Sequence, residues 1–122
     1  MELTKAIKLL KKNIHKGMRL DPNPRTKYKI VTEVPPYKCK NFKNSLGYRI
    51  QVGKKSFINI PLDMLEILIN DSKETGIYNR NNFLKKYPKQ IKDKPCYVHA
   101  IGKLLQCSGI AVQENGNYII QI

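Results

Sequence analysis

A chain of 122 residues is long enough for one domain, or for two small lobes that share a core. It has 23 lysine and arginine residues against 9 aspartate and glutamate residues, a formal net charge of +14, and three widely spaced cysteines, which do not make a disulfide framework. It contains no apolar run of about 18 residues, the length a membrane-spanning helix needs, so we expect no membrane partner, and free cysteines favour the reducing cytoplasm.

The first predicted element is an amphipathic helix from Leu3 to about His15. Ile7, Leu10 and Ile14 recur at the spacing of one helix face. The lysines of this segment lie on or near the opposite side: Lys5, Lys8, Lys12 and Lys16. Two interpretations of this lysine face stay open, an ordinary solvated surface or a contact with phosphates. Two prolines in residues 21–25 predict a loop after the helix.

Alternating apolar and polar residues predict a small antiparallel β-meander after that loop. Its extended segments are Tyr28–Val34, Tyr37–Phe42 and Tyr48–Val52, followed by a strand from Ser56. We expect Gly53, Lys54 and Lys55 to form a three-residue hairpin loop. That loop length pairs Ile50 with Ile58 and Tyr48 with Ile60 on a shared face of the sheet.

The second half of the chain predicts three helices and a hairpin. Their signals are Pro61 at a helix start, Asn79 as a helix cap, Pro88 and Gly109 as helix ends, and Asn115-Gly116 as a type I′ turn. The expected order is a helix from Pro61 to Gly76, an extended pair Ile77-Tyr78, a helix from Asn79 to Tyr87, a loop, a helix from Cys96 to Ser108, and strands around the Asn115-Gly116 turn.

This order of elements resembles a winged helix-turn-helix domain, in arrangement and not as a particular family. The helix Cys96–Ser108 takes the place of the recognition helix, and Ile110–Ile122 takes the place of the wing. We therefore predict an α+β fold. It comprises an N-terminal helix and β-meander over residues 1–60 and a winged-helix-like unit over residues 61–122, the two forming one compact unit.

The positive charge is concentrated in the first half of the chain. Residues 1–60 hold 15 basic and 3 acidic side chains, whereas residues 61–122 hold 8 and 6. A chain this basic meets polyanions in the cell, and nucleic acid is the commonest of them. A basic surface kept only for solubility is the alternative explanation.

Candidate nucleic-acid contacts occur first in the meander, where basic residues alternate with Tyr37, Phe42, Tyr48 and Phe57. These basic residues are Lys38, Lys40, Lys43, Arg49, Lys54 and Lys55. Basic side chains interleaved with aromatic rings can bind phosphates while the rings stack on bases. The simpler interpretation places the rings in the core and leaves a basic outer face.

The third helix of the second half offers a second set of candidates. At 100° per residue its apolar side chains cluster on one side, and His99, Gly102, Lys103 and Gln106 occupy the other. His99, Lys103 and Gln106 are therefore predicted to present hydrogen-bond donors to base edges, and Lys92 and Lys94 to contact phosphates just before the helix. The hairpin tip contains no lysine or arginine, so it is poorly suited to a minor groove.

The sequence does not predict catalysis, a metal site or a cofactor. Asp71-Ser-Lys73 has the D-x-K form of a metal-dependent nuclease, but it falls at a helix end without the carboxylates such a site needs. Cys96 and Cys107 are separated by about 16 Å along one helix, too far to bind one zinc ion.

The sequence thus predicts a non-catalytic, cytoplasmic nucleic-acid-binding protein, with duplex DNA as the favoured partner. The alternative is a protein–protein interaction or dimerisation module, for example one that forms a homodimer, whose basic surface is incidental.

Overall fold

The computed structural model describes residues 3–20 and 28–121, and the fold is α+β, as predicted. The loop predicted over residues 21–25 lies outside the described residues. In chain order the helices and strands are α1 (Leu3–Asn13), β1 (Ile30–Glu33), β2 (Lys38–Cys39), a short 3₁₀ helix (Lys40–Phe42), β3 (Ser45–Gly53), β4 (Ser56–Pro61), α2 (Leu62–Lys73), β5 (Ile77–Tyr78), α3 (Arg80–Lys86), α4 (Pro88–Asp93), α5 (Tyr97–Ser108), β6 (Ala111–Glu114) and β7 (Asn117–Ile120).

Helix α1 has the amphipathic character that its sequence predicts. Ala6, Leu10 and Ile14 are buried, whereas the lysines on the other side are exposed. The side-chain amide of Asn13 donates to the carbonyl of Ser108 at 2.8 Å and so ties the end of α1 to the end of α5. This contact satisfies one of the carbonyls that a helix leaves unpaired at its C-terminus.

The first sheet is built around β3, which pairs with β4 on one side and with β1 and β2 on the other. Tyr48 pairs with Ile60 and Ile50 with Ile58, so the predicted register is confirmed. The predicted loop is wrong in one detail. Gly53 pairs with Ser56, which leaves a two-residue turn, and an irregularity between Gln51 and Gly53 absorbs the extra residue.

The segment from Tyr37 to Phe42 is extended only at its start. It pairs with β3 at Lys38 and Cys39 and then turns into a 3₁₀ helix that ends at Lys43, whose φ of 55° is left-handed. Strand β1 is also shorter than the predicted Tyr28–Val34.

The first two helices of the second half begin close to the residues that predict their starts, Pro61 and Asn79. Pro61 precedes α2 instead of occupying its first position. Asn79 caps α3 as predicted: its side chain accepts from the backbone N–H of Asn81, and its own N–H donates to Asn82, each at 2.9 Å. The segment predicted as a loop after Pro88 is instead helix α4, because a proline that ends one helix is also suited to the first turn of the next.

Helix α5 and the hairpin after it follow the prediction. Gly109 ends α5 with a φ of 88°, and the turn residues Asn115 and Gly116 have φ values of 51° and 81°, as a type I′ turn requires. Strand β7 pairs with both β5 and β6, so the second sheet has the order β5-β7-β6.

One hydrophobic core joins the two halves of the chain, with residues of α1, both sheets and α2 to α5 in a single cluster. Helix α5 contributes five fully or largely buried apolar side chains between Val98 and Leu105 and packs against α1 and the β6–β7 hairpin. At the border of this core, the hydroxyl of the buried Tyr97 donates to the carbonyl of Asn59 at 3.0 Å and so links α5 to the outer edge of β4. Among the described residues no helix is both long and apolar enough to cross a membrane.

Candidate nucleic-acid interface

The predicted basic residues of the meander lie at two ends of β3. Lys38, Lys40 and Lys43 are exposed near its start, and Lys54 and Lys55 are exposed in the turn after its end. The nine residues of β3 span roughly 26 Å at about 3.3 Å per residue, so the two ends do not form one contact surface. We call the first three residues the β2 group.

Lys94, and Lys92 two residues before it, lie near the C-terminal end of β3, which is followed by Lys54 and Lys55. The ammonium of Lys94 donates to the Ser56 hydroxyl at 3.1 Å and to the Phe57 carbonyl at 3.0 Å, immediately after Lys55. Lys94 is therefore half-buried and held against β4, while Lys92 is exposed on α4. Lys54, Lys55, Lys92 and Lys94 are together called the turn group.

Arg49 lies between the two ends, on the face of the sheet opposite Tyr48 and Ile50. Its guanidinium lies 4.7 Å from the centre of the Phe57 ring, and Nη1 donates to the Tyr37 hydroxyl at 3.3 Å and to the Asn59 side-chain oxygen at 3.4 Å. Neutral groups hold the guanidinium in place, and no described carboxylate forms an ion pair with it. Its remaining N–H groups keep their capacity to donate to a phosphate.

Helix α5 does not present the polar face predicted for it. Lys103 is only 9% exposed, and its ammonium donates to the side-chain oxygens of Gln113 at 2.6 Å and Gln106 at 3.3 Å. Gly102 is buried because the ring of Tyr118 packs directly on it. The prediction that Lys103 and Gly102 face outward is wrong, since the β6–β7 hairpin covers this side of the helix.

Two other members of the predicted face differ in exposure. His99 is exposed, with Nδ1 3.5 Å from the Tyr118 hydroxyl, and Gln106 is half-buried beside Lys103. Of the side chains predicted to contact bases, only His99 is freely accessible. One accessible histidine is a poor basis for recognising a base sequence, which normally requires several donors and acceptors in the major groove.

The lysines of α1 form an exposed basic surface, for which contact with phosphates was one of the two interpretations that the sequence leaves open. Lys5, Lys8, Lys11 and Lys12 are exposed, and none forms an ion pair with a described carboxylate. Lys16 follows them and pairs with Glu33 at 3.3 Å. The signal for this surface was present in the sequence as a lysine stripe opposite the apolar stripe. We call Lys5, Lys8, Lys11 and Lys12 the α1 lysine face.

The acidic residues of the second half lie mainly on α2 and just after it: Asp63, Glu66, Asp71 and Glu74. Asp71 accepts from Lys85 at 2.7 Å and from the Asn82 amide at 2.9 Å, and these hydrogen bonds lower the pKa of its carboxyl group. The carboxylate of the D-x-K sequence is therefore engaged in holding α3 against α2.

No phenylalanine or tyrosine ring among the described residues is exposed. Tyr48, Tyr78, Phe83 and Tyr118 are fully buried, and the others are buried or half-buried. This burial favours the simpler of the two interpretations of the meander aromatics, in which the rings pack within the fold under a basic outer face.

None of the three cysteines forms a disulfide bond: Cys39 is buried, Cys96 and Cys107 are half-buried, and the Cys107 thiol donates to the carbonyl of Leu20 at 3.3 Å. Burial raises the pKa of the Cys39 thiol to about 11 against the smaller opposing effect of Arg49, so this thiol is protonated at neutral pH. In the described part of the chain no three His, Cys, Asp or Glu residues are grouped as a metal site requires.

Comparison with known proteins identifies no relative: the chain matches no model of a protein family, no curated protein and no solved structure.

Proposed function

We propose that this protein binds double-stranded nucleic acid, most simply duplex DNA, through the phosphate backbone and without catalysis. The observation that carries the proposal is the α1 lysine face, which has four exposed lysines without carboxylate partners among the described residues. Lysines free of carboxylate partners can neutralise phosphates and release the counterions condensed on the duplex, and this release is the main source of sequence-independent affinity.

The burial of the other candidates supports contact with the backbone rather than with bases. Lys103 is buried under the β6–β7 hairpin, and the phenylalanine and tyrosine rings are buried or half-buried. Phosphate contacts position a protein on the duplex and carry no direct sequence information. We therefore expect weak sequence preference and tighter binding to duplex than to single strands.

The β2 group, the turn group and Arg49 add further positive charge. The α1 lysine face and the β2 group alone have four and three exposed lysines, seven in all, which is enough for six phosphate contacts. For six contacts log K against log salt has a slope of roughly −5. The winged-helix-like arrangement of the second half is part of this proposal only as a scaffold that packs on α1 through α5.

Fluorescence anisotropy with labelled duplex DNA, single-stranded DNA and duplex RNA at several salt concentrations tests the proposal. Replacing Lys8 and Lys12 with glutamine should weaken duplex binding and make the salt slope shallower by about 1.8, at about 0.9 per lost contact. Replacing Lys54 and Lys55 with alanine should have a similar effect if the turn group also contacts phosphates.

The matched control replaces Lys85 and Lys86 with glutamine, which removes the same charge. Lys85 pairs with Asp71 and lies under the influence of Glu74, so its surroundings repel phosphates. We expect the control to change the slope much less. A flat salt dependence in the unaltered protein would instead favour the alternative function, a protein–protein interaction module with an incidental basic surface.

A further inference from the structure

A buried hydroxyl group without a hydrogen-bond partner lies at the centre of the first sheet. Tyr48 is fully buried, and its hydroxyl is the one buried side-chain polar atom in the described part of the chain that has no partner. Burial raises the pKa of this hydroxyl to about 12, so it is protonated at neutral pH. Buried polar groups are nearly always paired, and an unpaired one in a folded protein calls for a reason such as an unfilled binding role.

Tyr48 lines a cavity of about 410 Å³ between the end of α1, the β1–β2 connection and β3. This volume falls within the range of roughly 300–1,000 Å³ that is typical of small-molecule sites. The other lining residues are Lys11, Ile14, His15, Lys16, Val34, Pro35, Pro36 and Leu46.

The lining divides into apolar walls and a basic rim. Ile14 and Val34 bring apolar surface to the walls, together with two prolines and Leu46, which is 41% exposed. A ligand that covers exposed apolar surface at a concave site gains the free energy of removing that surface from water.

The charge at the rim is positive. Lys11, His15 and Lys16 come from the last turn of α1 and the residues after it, and all three are exposed. Glu33 is the one described carboxylate that pairs with them, through Lys16 at 3.3 Å. Lys38 adds a further cation on the same side of the sheet, because it pairs with Leu46 across β2 and β3.

We propose that this cavity binds a small organic anion with an apolar body. The apolar body lies against Val34, Pro35 and Leu46, the anionic group lies among Lys11, His15 and Lys16, and the Tyr48 hydroxyl donates a hydrogen bond to the ligand. An apolar pocket with a few convergent polar groups is the usual form of a small-molecule site. This inference does not depend on nucleic-acid binding, because a phosphodiester backbone has no apolar body to cover the walls, although Lys11 belongs to both surfaces.

Backbone amide NMR titrations with 3-phenylpropionate, and with its neutral analogue 3-phenylpropanamide, test the proposal on the full chain. We expect saturable shifts for the carboxylate at the backbone amides of residues 11–16, 34 and 46–48, and binding of the amide weaker by about tenfold, the effect of losing one charge-assisted hydrogen bond. Equal affinity for the two compounds, or shifts spread over the whole surface, would overturn it.

Two variants locate the site, and a matched control accompanies them. Lys11→Gln should weaken carboxylate binding several-fold, whereas Lys12→Gln removes the same charge from the adjacent helix position, outside the cavity lining, and should leave it nearly unchanged. Tyr48→Phe should weaken binding by about tenfold without lowering the melting temperature, because the lost hydroxyl has no partner in the folded protein. Equal effects of the two lysine variants, or unchanged binding by Tyr48→Phe, would contradict the proposal.

Discussion

Replacing Gly102 with alanine measures how closely the β6–β7 hairpin packs on α5. An added Cβ at this position would come within 3.0 Å of three ring atoms of Tyr118, a separation that real Cβ contacts essentially never show. The Tyr118 ring cannot move aside easily, because it is fully buried and lies 6.0 Å from the Tyr78 ring, centre to centre. Overpacking of this kind costs about 1–3 kcal/mol.

Helix propensity opposes this cost. Alanine is more favourable than glycine inside a helix by roughly 0.5–1 kcal/mol. The free energy of unfolding should therefore fall by about 0–2.5 kcal/mol, or about 1.3 kcal/mol at the middle of both ranges. For a domain of this size that middle value lowers the melting temperature by about 4–6 °C. Thermal and urea denaturation followed by circular dichroism measure both quantities.

The same substitution made together with Tyr118→Leu provides the control. Leucine lacks the ring atoms that meet the new methyl group, so adding Gly102→Ala to Tyr118→Leu should be neutral or stabilising. If Gly102→Ala raised the melting temperature of the otherwise unaltered protein, this side of α5 would be open to solvent. Helix α5 would then again be a candidate for contact with bases.

Three further predictions concern side chains that are engaged within the fold and the absence of metal. Lys103→Met should leave the salt slope for duplex DNA unchanged in the anisotropy assay, and a slope shallower by about 0.9 would show that Lys103 contacts a phosphate after all. Asp71→Asn should lower the melting temperature at pH 7. The pKa of Asp71 is depressed by hydrogen bonds from Lys85 and Asn82, so its stabilising effect is present above the ordinary carboxyl value of 3.8 and is lost as the pH falls through the folded-state pKa. Melting curves from pH 7 to acid pH should therefore show the two proteins converging, and a constant difference would contradict this cause. Purified protein should contain no stoichiometric zinc and should melt at the same temperature with a chelator, whereas one tightly bound zinc per chain by elemental analysis would refute the prediction.

Features determined by neighbouring residues were predictable from the sequence. The type I′ turn needs positive φ at two consecutive positions, and Asn115-Gly116 is the pair best able to adopt it. The pairing of Tyr48 with Ile60 follows from the alternation of buried side chains, because a slip of one residue would turn every apolar side chain to the other face.

Features determined by distant residues were not predictable in the same way. The angular position of Lys103 on α5 is opposite the main apolar cluster, which predicts exposure for a helix packed on one side only. Helix α5 instead packs against α1 as well as the hairpin, and the contact from Asn13 to Ser108 joins residues 95 positions apart. A helical periodicity shows which face is most apolar, but not how many partners surround the helix.

The candidate site likewise has one part that the sequence predicts and one part that depends on distant residues. Exposure of the α1 lysines follows from the amphipathic pattern of a single helix. The cavity at Tyr48 depends on how the end of α1 lies over β3 and the β1–β2 connection, and no spacing in the sequence indicates it.

The side chains of Lys94 and Tyr97 affect the tendency to aggregate, because they cover part of the outer edge of β4. They donate to the carbonyls of Phe57 and Asn59, which lie on the side of β4 that has no neighbouring strand. An uncovered strand edge is a template for pairing with another chain, and proteins protect such edges with charges or covering elements. A fragment ending before α4 would expose this edge, and we expect it to form β-rich oligomers where the full chain does not.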